Sequence, residues 1–394
     1  MSNKHNPNSH TSHSWSELPL DLLSSVFGCL SFANFNRAKS VCSSWYSASR
    51  QSMPKTHIHW LILFPLDGKN NNNKNSCMLF NPEEKDKLYK TQDFGEGFAK
   101  SFCRATHGSW LLMRDRWCDF YIVNLFTHER INLPPSDLLW KDYALRNASH
   151  KTSLYGCSRY KPYVGRNIRY PVFWIDEKTK DYVVVWGLMD WCVFYSKKGD
   201  TSWTQIPKTS DCFHMVYKDH KLYFLNKTGS FKIFDFSGDT PQQTFEWSVM
   251  MEIYELGPPT PCNSWTIRAT KLVVTVTGKV LKVEKMWRES PRTWSFRVFE
   301  VYSSRLGKKP ERRINSLGDE SMLLDQGITV PTNDTDGFIR NSIYFSDRDG
   351  NNIDHYIFIF NLETQKTELL HTFDSSFYSV QSSKAQWFVP GFMH

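Results

Sequence analysis

K-L-Y-F-L-N-K-T-G-S-F-K-I-F-D-F, residues 221–236, decides what most of this chain is. Lys221–Asn226 and Ser230–Phe236 are aromatic and branched segments, each long enough for a strand and too short for a helix. Between them Lys227-Thr228-Gly229 is a hairpin turn signal. The same grammar recurs on both sides. Lys271–Val276 and Val280–Lys285 flank Thr277-Gly278-Lys279, and Trp294–Val301 alternates after them. Tyr182–Trp186 and Trp191–Tyr195 flank Gly187–Asp190, and Ser342–Ser346 and Tyr356–Phe360 flank the polar loop Asp347–His355. From about residue 57 the pattern has period two, with no long helix. Evenly spaced short strands leave a sandwich, a barrel or a propeller. Residues 57–394 exceed an ordinary sandwich, and at about 50 residues per four-stranded blade they predict six or seven blades. No strict repeat motif marks them. A propeller must close its ring, and the strands expected to do so are Trp60–Phe64 and Gln386–Pro390. The Asn70–Asn73 run is expected as a loop in the first hairpin.

The N-terminal part reads differently. In residues 15–50, Leu18, Leu22, Leu23, Val26, Phe27 and Leu30 fall on one helical face, with Pro19 in the first turn. Asn34 is placed to cap a second helix, and Ala38, Val41, Cys42 and Trp45 form a second stripe. Residues 1–14, polar and holding His5, His10 and His13, read as a solvated, disordered tail without a signal-peptide core. The apolar runs Trp60–Pro65 and Tyr182–Met189 are too short to span a bilayer as helices.

Composition narrows the function classes. Of 394 residues, 40% are hydrophobic and 22% charged, ordinary for a globular chain. Aromatics at 15% favour strands. The formal net charge of +8 is scattered rather than gathered into a stripe, so neither nucleic acid nor membrane is an expected partner. Cys29, Cys42, Cys77, Cys103, Cys118, Cys157, Cys192, Cys212 and Cys262 are odd in number, widely spaced and free of C-x-x-C. Reduced thiols are expected, with no zinc site and no disulfide framework. The sequons at Asn147, Asn226 and Asn333 carry no weight without a secretory signal.

The L-P-x-x-L-L-x-x-V-F-x-x-L pattern from Leu18, followed by R-A-x-x-V-C-x-x-W from Arg37, resembles an F-box. The resemblance covers about a tenth of the chain. It implies a three-helix module that docks on the Skp-type adaptor of a cullin–RING ubiquitin ligase. Its adaptor-binding positions here are Leu18, Pro19, Leu22, Leu23, Val26, Phe27, Leu30, Val41, Cys42 and Trp45. Asn34 departs from the pattern, where an Asp is common. The remainder is similar to the KIB-type β-propeller that follows many plant F-boxes. His59–Phe64 resembles its opening strand, and Tyr121–Pro135 its N-P-F-T-x-x-x-I-x-L-P-P motif, with Leu125 for Pro. Leu317–Leu324 resembles L-G-D-E-x-x-F-L, Asp336–Asp347 resembles G-x-x-x-N-S-I-Y-F-T-D, and Trp387–Pro390 the closing strand. The expected organisation is a tail (1–14), an F-box (15–50), a linker (51–56) and a propeller (57–394): mainly β with a small α module.

Chemical motifs are fragmentary. His128-Glu129 opens H-E-x-x-H, but Asn132 stands where the second His must be. Gly95-Glu96-Gly97 opens a dinucleotide loop, but Lys100 replaces the third Gly. No G-x-x-x-x-G-K-S/T and no G-x-S-x-G occur. Asp347, Asp349 and Asp354 around Gly350 could hold calcium, but read first as a turn. Lys308-Lys309-Pro310-Glu311-Arg312-Arg313, after Arg305, reads as a solvated loop or a nuclear-import signal. The expectation is therefore a non-catalytic receptor without cofactor. Its F-box grips the Skp-type adaptor, and through it cullin, while its propeller binds a target for ubiquitination in the nucleus or cytoplasm. Two other classes stay open: a propeller enzyme acting on a glycan with paired channel carboxylates, and an F-box scaffold outside the ligase.

Overall fold

The computed structural model describes residues 15–30, 32–52, 60–65, 75–80, 88–136, 168–188, 191–247, 265–301, 311–332, 338–348, 355–373, 378–379 and 386–388. The tail 1–14, the Asn70–Asn73 loop, Asn147, Asn333, Cys157, Cys262, Arg305 and Lys308–Pro310 lie outside the described residues. The chain divides after Ile58 into a helical unit and a β unit.

In the helical unit, a 3-10 turn (Trp15–Glu17) precedes α1 (Leu20–Cys29), α2 (Phe32–Ala38) and α3 (Ser43–Gln51). Pro19 is the residue just ahead of α1, where its missing N–H costs nothing, and its carbonyl accepts from the Leu23 amide at 3.0 Å. Leu23, Phe27 and Leu30 follow at i, i+4 and i+7 and meet Phe35, Ala38, Trp45 and Ala48 in one core. The Phe27 ring lies edge-on to Phe35 at 4.9 Å and to Trp45 at 5.6 Å. Trp45 Nε1 donates to the Trp15 carbonyl at 3.0 Å. Asn34 is not the cap expected: it lies inside α2, its Oδ1 accepting from Arg37 at 3.3 Å. Phe35 and Ala38 reach the core only from a helix that has begun before Asn34.

The β unit is a chain of antiparallel meanders. β1 (Trp60–Pro65), β2 (Met78–Phe80) and β3 (Leu88–Lys90) form the first. A single turn, α4 (Glu96–Ala99), leads to β4 (Phe102–His107), β5 (Trp110–Arg114), β6 (Phe120–Asn124) and β7 (Arg130–Asn132). The third holds β8 (Ile168–Ile175), β9 (Tyr182–Leu188), β10 (Cys192–Lys197) and β11 (Thr204–Ile206). The fourth holds β12 (Cys212–Lys218), β13 (Lys221–Asn226), β14 (Phe231–Asp235) and β15 (Gln242–Trp247). The fifth holds β16 (Thr266–Val274), β17 (Val280–Arg288), β18 (Thr293–Val301) and β19 (Glu311–Ile314). A hairpin of β20 (Glu320–Leu323) and β21 (Ile328–Pro331) then leads to β22 (Ser342–Arg348), β23 (His355–Asn361) and β24 (Thr367–Phe373). That hairpin stitches the fifth meander to the sixth, β21 running parallel to β16 and β20 parallel to β22.

The hairpin turns follow their residues. Gly229 and Gly278 take φ of 86° and 81°, a conformation open to glycine at little cost. Gly327, at φ 72°, is constrained differently: a Cβ there would lie 2.9 Å from Val216 Cγ2, so the β20–β21 turn packs against β12 only as glycine.

Chain ends close the figure. β25 (Tyr378–Ser379) and β26 (Gln386–Phe388) add to the edge of β1 opposite β2, with Leu61 facing Trp387. The pairing expected between the Trp60 and Gln386 segments is the one observed. Buried side chains fill each gap between neighbouring sheets. Trp186 meets Phe120 and Trp203 between the second and third. Phe234 and Phe236 serve the third and fourth, and Val216, Leu272 and Val274 the fourth and fifth. Phe296, Phe345 and Phe360 join the fifth and sixth, and Tyr344 and Trp387 the sixth and first. Phe64 against Phe98 (6.1 Å) and Phe388 against Phe126 (6.4 Å) complete the circuit from first to second. The described strands form a closed β-propeller of six blades.

Candidate functional site

Helix α1 carries two apolar stripes, and only one is satisfied internally. Leu23 and Phe27 are 1% and 0% exposed, so both belong to the module's own core rather than to a contact surface. Both are expected on the adaptor-binding face; in this structure their side chains turn inward and fix the helix. One residue away, Pro19, Leu22 and Val26 run at i, i+3 and i+7 along the adjacent stripe. Leu22 is 49% exposed, Pro19 is exposed and Val26 half-buried. Val41, ahead of α3, is 64% exposed, while Leu18, Leu30, Cys42 and Trp45 are half-buried. Three apolar residues outside the expected set are also exposed: Trp15, Leu20 and Tyr46. Leu20 follows the Pro19 that starts α1, and Tyr46 follows the core residue Trp45. Tyr46 falls off the core stripe, the signal that could have marked it, whereas Leu20, three residues before Leu23 and seven before Phe27, shares the core spacing and gives no such signal. Several apolar side chains of this small module are thus left exposed, a feature that interaction surfaces share.

A second candidate is the propeller's cavity of about 510 Å³, lined from the inner strands β4, β8 and β12 and by the β20–β21 turn. Its described carboxylates are Asp219 and Asp325. Asp325 Oδ1 receives Lys271 Nζ at 2.6 Å, and its Oδ2 accepts from the Ser346 amide (2.9 Å) and hydroxyl (2.7 Å). Burial holds His107 at a pKa of about 4, so the ring is neutral at pH 7.

The remaining motifs find ordinary places. Asp347 lies at the end of β22 and pairs with Lys285, whose ammonium sits 4.3 Å from the centre of the Trp294 ring. Asp349, Gly350 and Asp354 lie outside the described residues. Arg312, of the basic run, is in β19 and pairs with Glu300 at 3.1 Å. Asn226 Oδ1 accepts from the Ser230 amide inside a turn. Among the described residues no group of three His, Cys, Asp or Glu could hold a metal. The described cysteines form no disulfide, and burial pushes the Cys103 thiol up to about 12 and Cys192 to about 11, which makes these two poor nucleophiles. Among the described residues, no helix is long and apolar enough to cross a membrane.

Comparison with known proteins gives two family matches: an F-box domain over residues 15–57 and a KIB1-4 beta-propeller over residues 79–361. A chain of Arabidopsis thaliana that bears an F-box protein name, At4g22170, is 62% identical over 395 residues, covering 100% of this chain and 99% of its own. The Arabidopsis thaliana F-box protein At1g69090 is 40% identical over 96% of this chain and 93% of its own. Among solved structures, TolB from Acinetobacter baumannii is similar at TM-score 0.40 and 10% identity, over 88% of this chain and 70% of that one.

Proposed function

Since the chain belongs to the F-box proteins with a KIB1-4 beta-propeller, we propose that it is the substrate-recognition subunit of an SCF-type ubiquitin ligase. On this reading the helical unit binds a Skp-type adaptor, and through it cullin. The propeller binds a target protein in the nucleus or cytoplasm, and a separate enzyme transfers ubiquitin. The observation that carries the reading is the unsatisfied stripe of α1. Pro19, Leu22 and Val26 stand beside a sealed core of Leu23 and Phe27, with Leu18, Leu30, Val41, Cys42 and Trp45 around them. A helix with a second apolar face gains free energy only when something else covers it. The propeller supplies a rigid ring whose loops can vary without disturbing the blades.

The glycan-enzyme reading needs two carboxylates free to exchange protons. Among the described lining residues Asp325 is tied to Lys271 and Ser346, which leaves Asp219 without that counterpart.

The test is capture of the full chain on an immobilised plant Skp-type adaptor. Wild type is expected to bind, and the Pro19→Ala/Leu22→Ala variant, folded by circular dichroism, is expected to lose most of that binding. Both substituted residues are exposed, so the core stays intact. A folded wild type that ignores every adaptor tried would sink the proposal.

A further inference from the structure

The four inner strands β4, β8, β12 and β16 run side by side in one direction. Arg104 meets Ile168, and His107 meets Trp174. Tyr170 meets His214, Trp174 meets His220, His214 meets Leu272, and Lys218 meets Thr275. Each strand breaks register with its own blade near its start. The breaks fall between Cys103 and Ala105, Arg169 and Val172, Cys212 and His214, and Ile267 and Ala269. A bulge of this kind frees a side chain from the strand's alternation and re-aims it. Arg104 is the residue skipped in β4, and Arg169 stands at the edge of the break in β8. Both line the cavity, with His214 beside them.

Arg104 is under-satisfied. Its Nη2 donates to the Ile168 carbonyl at 3.1 Å, and its buried Nε has no partner. Its charged neighbours are Arg114 and Arg169, of its own sign, and burial with this repulsion lowers its pKa to about 10. Behind it Arg114, 9% exposed, leaves Nε and Nη1 without partners. Among the described residues neither Arg104 nor Arg169 has a carboxylate partner. An uncompensated guanidinium in a partly buried place destabilises a chain unless an anion arrives to match it. The His214 Nδ1 accepts from the Leu272 amide at 3.2 Å, so in the neutral ring the proton sits on Nε2. The rest of the lining includes the aromatic residues Tyr170, Trp174 and Tyr217, with Lys218, Asp219 and Asp325 among them, the last paired with Lys271. The Tyr217 hydroxyl is buried without a partner.

We propose that this cavity binds a small phosphate monoester, its phosphoryl group clamped by Arg104 and Arg169 and its organic body laid against the aromatic wall. Two guanidinium charges lining one cavity match a phosphate dianion, and an arginine fork can bind two of its oxygens, whereas a monocarboxylate leaves one charge over. The volume is that of a small-ligand pocket. Such a site stands whether or not the helices hold an adaptor, because it lies in the propeller alone.

Isothermal titration of the full chain with phenyl phosphate tests it, with inorganic phosphate and benzyl alcohol as half-ligands. Phenyl phosphate is expected to bind one site, more tightly than either half. Arg104→Met is expected to weaken it by at least about tenfold, as loss of a charge-assisted fork does, and to raise the unliganded melting temperature by removing an unpaired charge. Arg169→Met, at the exposed mouth, is expected to weaken binding while leaving the melting temperature unchanged. If Arg104→Met does not fold, Arg169→Met decides alone. The proposal fails if phenyl phosphate shows no saturable binding by about 1 mM, or if the folded variants bind it as wild type does. It also fails if a phosphorylated peptide binds where phenyl phosphate does not.

Discussion

Replacing Trp387 with alanine tests whether the ring is closed in solution. Trp387 is 0% exposed, faces Leu61 across the β26–β1 ladder, and lies 6.3 Å from Tyr344 and 6.5 Å from Phe338, ring to ring. Emptying such a site costs about 3–5 kcal/mol. Two details adjust that figure. The indole Nε1 is buried without a partner, so its removal recovers about 1 kcal/mol of desolvation. The Trp387 carbonyl accepts from Thr106 and Gln326, and those bonds use the backbone, which alanine keeps. The expected loss is therefore about 3 kcal/mol. The assay is urea unfolding of the full chain followed by circular dichroism. Trp117→Ala is the control: Trp117 is 50% exposed and stacked under Arg116 at 4.6 Å, so its loss costs about 0.5–1 kcal/mol. If Trp387→Ala unfolds within about 1 kcal/mol of wild type, the closing strand contributes too little, and the ring is not sealed at β26.

Two further perturbations probe the blades. Lys271→Met strands the Asp325 carboxylate, whose side chain is 6% exposed, and should cost about 3 kcal/mol. Adding Asp325→Asn should restore part of that in the same urea assay, and a double variant no better than the single would show that the pair is not the cause. His107 sets an acid limit. Its folded pKa near 4 lies below its ordinary 6.5, so the unfolded chain takes up the proton first. Its contribution is complete above pH 6.5 and lost as pH falls toward 4, about 3 kcal/mol in all and about 2 by pH 5. His107→Gln should flatten that slope between pH 7 and 5, and an unchanged slope would assign acid sensitivity to other groups.

The hairpins are legible in the sequence because glycine at a turn and aromatic residues beside it act locally. Lys221–Asn226 and the Phe231 strand stand where the pattern puts them, as do Trp294–Val301 and the closing segments. The repeat is less legible because it lies in turns rather than strands. Asn124, Asp176 and Asn361 each accept amides two and three residues on, with Thr at the third place, an Asx turn repeated in three blades. Side chains that share a face of α1 also defeat periodicity. Leu22 and Leu23 are adjacent, equally apolar and one helical step apart, yet one is half exposed and the other sealed. Only α3 and α2 determine which. Arg104 is harder still, since a register break in β4 and the approach of β8 make its setting, and neither is written near residue 104.

The pairing of Trp60 with Phe388 also sets an order of events. A ribosome delivers β1 early and the strand that covers its edge last, so the first blade waits through the synthesis of the others with one edge open. The helical unit, built from neighbours in sequence, can fold at once. A chain cut short before β26 would then still present its helices while carrying an unsealed, aggregation-prone edge. If those helices hold the adaptor, such a fragment would occupy it without a sealed propeller attached.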